Sequence, residues 1–290
     1  MRVAVAAVVA FLVVAAGGAA AGSSAAGSPP FAGLGTWIDV YDGALLVDPV
    51  RTADRIAARG VRTVYVETAN DRSATDVVNP AGLGLLLDAL HARGIQAVAW
   101  YLPGFVQPAL DLRRTRAMLA FRSPGGAAFD GVALDVESLR LKRVGLRTQR
   151  LLALARTLAV EAGDVPVAAI PYPPRAFERH ARWWPNFPWA ELTPLVDAFI
   201  PMTYTGGGFR GYEATYGYVA RSLKLLRAAV GPDVPIHAAG GVANRMDADE
   251  LKAYVDAVGD DGTVSGWSLY DFATTGAKAW SSLAPLGATR

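Results

Sequence analysis

Short apolar runs, each bounded by glycine, proline or polar residues, recur about every 30 residues along the chain after residue 35. Runs of this length that are rich in valine, isoleucine and aromatic residues are typical of buried β-strands. Eight strands are predicted on this basis, at residues 36–41, 61–67, 95–101, 131–137, 165–172, 198–204, 235–240 and 264–270.

Helical patterns occupy the intervals between these runs. Helices are predicted at residues 49–59, 80–94, 108–121, 146–162, 212–230 and 247–258. Asn79 followed by Pro80 is a helix-start signal, and Asp247 with Glu250 is a variant of the capping box. Alternation of eight strands with helices predicts an α/β fold, a single (β/α)8 barrel that occupies residues 33–290.

An open, doubly wound sheet is the alternative architecture. That fold needs no eighth strand, and it usually carries a glycine-rich nucleotide loop after the first strand. Here the first predicted strand runs into Asp39, Val40, Tyr41 and Asp42 instead of glycines. The sequence therefore favours the barrel.

The N-terminus has the pattern of a secretory signal peptide. Arg2 precedes an apolar run over residues 3–16, and small residues follow over 17–21. A retained membrane anchor is the alternative, although the run is near the lower length limit for crossing a bilayer. We predict a signal peptide at 1–21, a flexible leader at 22–32, and a secreted protein with no stable membrane association after cleavage.

Composition excludes several kinds of chemistry. The formal net charge of the 290 residues is +2, which gives no reason to expect nucleic acid as a partner. Cysteine is absent, so disulfides and thiol catalysis are excluded. The three histidines, His91, His180 and His237, are scattered along the chain. We therefore predict neither a metal site nor a cofactor.

The fourth predicted strand ends in two acids on one face. Asp135 and Glu137 are two positions apart, so their side chains point the same way from an otherwise apolar strand. Buried carboxylates are costly unless they have a use, and glycosidic-bond cleavage uses a pair of them. Barrel active sites lie at the carboxyl ends of the strands. Further substrate-binding candidates at or just beyond those ends are Asp39, Glu67, Tyr101, Tyr172, Trp184, Tyr204, Tyr270 and Asp271.

A family resemblance supports this interpretation. Residues 130–137, DGVALDVE, resemble the strand-four signature of chitinase-type (family 18) glycoside hydrolases, and residues 201–204, PMTY, resemble their strand-six motif. The chain is also similar, over residues 35–283, to glycoside-hydrolase-like barrels of secreted bacterial proteins. The resemblance implies a carbohydrate substrate and Glu137 as the general acid. It also implies that Asp135 orients a substrate group or stabilises positive charge, and that Tyr204 forms a hydrogen bond near the reacting sugar.

Two departures from the family pattern leave the mechanism open. Ala133 replaces the first acid of the inward-facing row, and Thr205 stands where chitinases usually have aspartate or asparagine. Both weaken substrate-assisted catalysis, in which an N-acetyl group attacks its own anomeric carbon. Glu67 is then an alternative catalytic partner for Glu137. The distance between the two carboxyl groups would decide whether the anomeric configuration is retained or inverted. A non-catalytic, lectin-like barrel is the second functional hypothesis, and a barrel hydrolase without sugar specificity is the third.

Each feature also has a structural interpretation. The two acids of strand four could form ion pairs with Arg140 or Arg143, and residues 183–189, WWPNFPW, could be a packed lid instead of a sugar platform. Asp39 and Asp42 are common turn residues. The double glycine at 240–241 is a weak signal for phosphate binding. For the acid pair itself, we expect the deeper Asp135 to ionise first and its charge to raise the pKa of Glu137.

Overall fold

The computed structural model describes residues 29–288, which form a (β/α)8 barrel. Its strands pair in parallel in the order β6-β5-β4-β3-β2-β1-β8-β7. The predicted fold class is therefore confirmed. Residues 1–28, which include the predicted signal peptide, lie outside the described residues. The strands are β1 (Gly33–Ile38), β2 (Thr63–Asn70), β3 (Gln96–Leu102), β4 (Gly131–Val136), β5 (Val167–Pro171), β6 (Ala198–Phe199), β7 (His237–Gly241) and β8 (Gly266–Tyr270).

The barrel closes between β6 and β7, where the pairing is shortest. The sequence predicts a strand over 198–204, but regular pairing ends at Phe199 because Pro201 has no N–H to donate. Single bridges then join Phe199 to Ile236 and Met202 to Ala239. These contacts hold the chain against the barrel wall as far as Tyr204. Tyr204 therefore lies at the carboxyl end of the barrel, as predicted, although no regular strand reaches it.

Nine helices surround the strands within the described residues: α1 (Pro49–Ala57), α2 (Pro80–His91), α3 (Pro108–Ala120), α4 (Val144–Ala162), α5 (Pro174–Arg179), α6 (Trp189–Leu192), α7 (Gly211–Val230), α8 (Ala248–Asp261) and α9 (Ala277–Ala288). The six predicted helices are α1–α4, α7 and α8. Asn79 caps α2 by accepting the Gly82 N–H at 3.2 Å, and the capping box of α8 is complete. The short helices α5 and α6, and α9 with an internal Pro285, were not predicted.

The core has two layers, as the alternation of side chains along barrel strands requires. The outer layer fills the space between strands and helices and contains most of the buried aliphatic residues. The inner layer fills the barrel and includes large rings from neighbouring strands. Trp37 stacks on Tyr65 with 4.4 Å between ring centroids and meets Trp100 edge-on at 6.0 Å. These rings fill the barrel interior below the carboxyl ends of the strands.

A buried chain of hydrogen bonds closes the amino-terminal end of the barrel. The Trp37 indole donates to the Ser268 hydroxyl at 2.8 Å, and that hydroxyl lies 2.9 Å from His237 Nε2. His237 Nδ1 lies 3.0 Å from the Phe31 carbonyl, which can only accept, so Nδ1 carries the proton and Nε2 accepts from Ser268. The contact is close enough that a Cβ at Gly266 would lie 2.2 Å from that carbonyl oxygen. Phe31, within the predicted leader, is thus part of the barrel floor.

None of the helices within residues 29–288 is both long and apolar enough to cross a membrane.

Candidate active site

A cavity of about 480 Å³ opens at the carboxyl ends of the strands. This size is within the usual range for small-ligand sites. Its wall combines acids, aromatic rings and arginines from β2, β3, β4 and β8 and from the segments that follow β1, β2, β4 and β6. The lining residues are Tyr41, Glu67, Asn70, Asp71, Arg72, Trp100, Leu102, Asp135, Glu137, Ser138, Leu139, Arg140, Met202, Tyr204 and Tyr270.

The two acids of β4 face this cavity together. Asp135 is 5% exposed, and its Oδ1 has no hydrogen-bond partner within the described part of the chain. Glu137 follows the last strand residue, Val136, and the Tyr172 hydroxyl at the end of β5 donates to it. Burial raises the pKa of Glu137, while the Tyr172 hydrogen bond acts in the opposite direction. Glu137 is therefore a half-buried, oriented carboxyl group at the wall of an open cavity.

Asp135 is the more deeply buried of the two acids. Burial raises the pKa of Asp135 well above its usual range, and the negative charges of Glu137 and Glu67 raise it further. Desolvation is more complete at the deeper position, and no donor stabilises the charged form at Oδ1. The charged form of Asp135 is therefore disfavoured. That Asp135 ionises before Glu137 stays a prediction.

Glu67 is the third acid of the cavity. It is 6% exposed, at a bulge where the pairing of β2 with β3 shifts between Glu67 and Ala69. Its Oε2 accepts the Val40 N–H at 3.1 Å, and its Oε1 accepts from Asn70 Nδ2 at 3.2 Å. Burial raises the pKa of Glu67 to about 7, with smaller contributions from Asp39 and Glu137, while these two donors lower it. The side chain is thus fixed in place and titrates near neutrality.

Two tyrosines complete the opposite wall. Tyr204 and Tyr270 lie with ring centroids 5.7 Å apart, and the Tyr270 hydroxyl donates to Asp39 Oδ2 at 2.5 Å. Asp39 therefore supports Tyr270 from outside the cavity instead of lining it. Burial raises the pKa of Tyr204 well above its usual value, so its hydroxyl stays protonated and can donate to a ligand.

Asp39, Asp42 and Asp271 form an acidic group beside the cavity, with one carboxylate oxygen of each within 4.8 Å of the others. These are the ligand atoms that hard cations prefer. Each already accepts a hydrogen bond that shapes a turn. Asp42 Oδ2 accepts the Asp39 N–H at 3.2 Å, and Asp271 Oδ1 accepts the Thr274 N–H at 2.8 Å. Local turn geometry accounts for the group, and Asp271 lies behind Tyr270 instead of lining the cavity.

Two predicted substrate-binding residues lie elsewhere. Tyr101 points into the outer layer, where its hydroxyl donates to Asp111 at 2.7 Å. Trp184 is 1% exposed. The Arg147 guanidinium lies over its ring, 4.2 Å from the ring centroid, and its indole N–H donates to the Thr148 hydroxyl. The placement of both was wrong. Alternation along β3 turns Tyr101 away from the barrel interior, and the aromatic loop after β5 packs as a lid around Trp184.

Several cavity residues were missed by sequence reasoning. Trp100 is the inward-facing neighbour of Tyr101, but β3 is apolar on both faces, so its sequence does not show which ring faces inward. Met202 reaches the cavity from the irregular end of β6. Arg72 and Arg140 come from loops after β2 and β4, and no strand pattern locates a loop side chain.

The structural alternatives are resolved by particular contacts. Arg140 pairs with Asp71, and neither acid of β4 takes part in an ion pair among residues 29–288. The glycine at 240 is explained by packing, since a Cβ there would lie 2.6 Å from the Tyr254 ring. Close packing accounts for this glycine without a phosphate ligand.

The fold and this cavity define a (β/α)8 barrel with an acidic, aromatic mouth. No protein-family model matches the chain, and no curated protein matches it. Among solved structures, it is similar to the spore cortex-lytic enzyme SleL of Bacillus cereus, with TM-score 0.65 and 10% identity over 89% of this chain and 75% of that one.

Two further structures extend this similarity in fold. A class V chitinase from Pseudomonas fluorescens Pf-5 gives TM-score 0.62 and 12% identity over 89% of this chain and 100% of that one. An endo-1,4-beta-mannanase from Rhizomucor miehei gives TM-score 0.68 and 9% identity over 90% and 96%. The resemblance to chitinase-type barrels is thus confirmed at the level of the fold.

Proposed function

We propose that this protein is a glycoside hydrolase that acts on a polysaccharide or glycoconjugate, with Glu137 as its general acid. The observation that carries the proposal is a half-buried carboxyl group with a raised pKa, held by a hydrogen bond from Tyr172 at the wall of an acid- and ring-lined cavity. A general acid must be protonated near its working pH, which is the effect of burial here. The similarity in fold to a chitinase and a mannanase supports the substrate class.

The first chemical step follows from this geometry. Protonated Glu137 gives its proton to the glycosidic oxygen as the bond from that oxygen to the anomeric carbon breaks. The leaving sugar departs as an alcohol, and positive charge develops on the ring that stays. Water supplies the hydroxyl group that completes hydrolysis, and its proton restores the acid. Aromatic side chains such as Trp100 and Tyr204 provide apolar surfaces for sugar rings.

Glu67 is the carboxylate that we assign as partner to Glu137. Ala133 and Thr205 occupy the positions of family polar groups, which disfavours assistance by an N-acetyl group of the substrate. Burial raises the pKa of Asp135 and disfavours its charged form, which makes it less suited to attack or to accept a proton. Glu67, with its pKa near 7, provides an ionised carboxylate above that pH. Its role is either nucleophile or general base, which differ in the anomer released.

Glu67→Gln is expected to lower turnover by about 100-fold or more and to remove an ionisation from the pH profile. Because Glu67 must be ionised to act, wild-type kcat/KM is expected to rise with pH through about 7, and this rise is expected to vanish in the variant. The measurement is kcat/KM against pH on a cleaved glycan. Glu213→Gln, an exposed glutamate in the first turn of α7, is the matched control. An unchanged profile in Glu67→Gln would assign the second carboxylate elsewhere.

A carbohydrate-binding barrel without hydrolysis is the second candidate. Ala133 favours it, because an apolar residue stands where the family has an acid, while the cavity and its rings are retained. Glycan binding by calorimetry with no release of reducing ends from any polysaccharide in a broad screen would favour this function over the hydrolase.

We also propose that the protein is exported through its N-terminal segment, residues 1–21. The proposal rests on the order of Arg2, an apolar run and small residues. Mass spectrometry of exported protein is expected to find a new N-terminus near residue 22. Exported material that retains Met1 would contradict cleavage.

A further inference from the structure

Two loops at the rim of the cavity bring three charged side chains together. Asp71 and Arg72 follow β2, Arg140 lies after β4, and all three line the cavity. Arg140 forms an ion pair with Asp71 across the rim. Arg72 is exposed, and its guanidinium takes part in no ion pair or hydrogen bond within residues 29–288. The rim therefore carries one cation that is not neutralised.

The backbone that carries Arg72 is held in a tight turn. The Arg72 N–H donates to Asn70 Oδ1 at 3.0 Å, and the Asn70 N–H donates to the Ser73 hydroxyl at 2.9 Å. Beneath the turn, the guanidinium of the buried Arg114 donates to the carbonyl oxygens of Asn70 and Ser73. These bonds fix the point from which the Arg72 side chain extends, so less entropy is lost when it binds a ligand.

Burial reduces the repulsion that the cavity acids offer to an anion. It raises the pKa of Glu67, Asp135 and Glu137 and so disfavours their charged forms. Asp71 is balanced by Arg140. The guanidinium of Arg72, which is not neutralised at the rim, suits a sugar with an acidic substituent.

We propose that the substrate carries a carboxylate, as a uronic acid or a lactyl ether, and that the Arg72 guanidinium binds it. A guanidinium matches a carboxylate with two parallel N–H donors, which a neutral sugar cannot use equally well. The inference names the substrate class of the proposed hydrolase and therefore rests on that function. Arg72 is assigned to substrate selection and not to bond cleavage.

The test measures binding in the Glu137→Gln background, so that cleavage does not interfere. One pair of probes is the tetrasaccharide of chitin and that of the peptidoglycan glycan strand, which differ by lactyl carboxylates. The other pair is a hyaluronan hexasaccharide and its carboxyl-reduced form. The acidic member of at least one pair is expected to bind about tenfold more tightly or better, which is typical of a hydrogen bond to a charged group. The pair that shows the preference identifies the source of the carboxylate.

Arg72→Gln is expected to abolish this preference by weakening the binding of the acidic member. The matched control is Arg51→Gln, an exposed arginine on α1 outside the cavity, which should keep the preference. Equal affinity for both members of both pairs, or a preference that survives Arg72→Gln, would overturn the proposal. Turnover by Glu137→Gln would contradict the assignment of the acid and is a separate result, because the preference can then be measured as the ratio of kcat/KM for the two members of a pair.

Discussion

Replacing Glu137 with glutamine is expected to lower turnover of a cleaved glycan by about 100-fold or more while glycan binding is retained. Glutamine has nearly the same shape and can still accept the hydrogen bond that Tyr172 donates, but it has no carboxyl proton to transfer. The leaving sugar would then depart as an unprotonated alkoxide, which is a poor leaving group. Binding depends on the rings and rim charges of the cavity, which this substitution leaves in place.

The measurement is a screen of polysaccharides with wild type, followed by kcat and KM for Glu137→Gln on whichever substrate is cleaved. Glu213→Gln tests whether loss of a glutamate charge by itself affects turnover, since Glu213 is exposed in the first turn of α7. Substrates with activated leaving groups, which need less protonation, should be rescued in part. Unchanged turnover in Glu137→Gln would rule out its role as the acid.

The second large effect concerns stability at low pH and originates at the opposite end of the barrel. Burial lowers the pKa of His237 to about 4, from 6.5 in an exposed histidine. As the pH falls from about 6.5 to about 4, the unfolded chain takes up a proton at this site that the folded protein does not. The low pKa of His237 therefore stabilises the folded protein by on the order of 3 kcal/mol in the free energy of unfolding above pH 6.5. This stabilisation is lost as the pH falls to about 4.

The hydrogen bonds of the barrel floor explain why protonation is costly. A charged imidazole must donate from both nitrogens, so Ser268 would have to accept from His237 Nε2 as well as from Trp37. The serine proton would then need another acceptor, and the charge itself would lie in a fully buried site. Protonation thus breaks one bond of the chain and adds an unpaired charge.

Urea unfolding of wild type and His237→Gln at several pH values is the measurement. The difference in unfolding free energy between the two proteins isolates this site. The buried acids of the cavity have a pH dependence of the opposite sign, but it is the same in both proteins and cancels in the difference. The wild-type advantage should shrink as pH falls. His91→Gln is a control with the opposite pH dependence. The hydrogen bond to Asp130 raises the pKa of His91, so the stabilisation that His91 gives the folded protein is present at low pH and is lost as pH rises.

A difference between wild type and His237→Gln that does not change with pH would contradict this account. If the variant fails to fold, NMR titration of the His237 ring gives the same information, since the imidazole should stay neutral down to about pH 4. Titration near 6.5 in the folded protein would equally contradict the account.

The two expected effects come from opposite ends of the same strands. β7 begins with His237 in the closed floor, and its neighbour β8 ends with Tyr270 in the cavity. Side chains at the amino-terminal end are packed and bonded to one another, so changes there should affect stability. Side chains at the carboxyl end face open space, so changes there should affect binding and turnover.

The sequence by itself determined the barrel and the position of its acids along the chain. Strand and helix periods depend on local side-chain alternation, so eight alternating segments and the inward pair of Asp135 and Glu137 can be read without tertiary contacts. Only the tertiary structure decided which of Trp100 and Tyr101 faces the cavity, and that Trp184 is packed in a lid. A strand that is apolar on both faces has no pattern to orient it, and loop residues are positioned by contacts distant in sequence. The same reason applies to the pKa shifts of the acids and to Arg72, because desolvation and charge balance depend on neighbours from several strands at once.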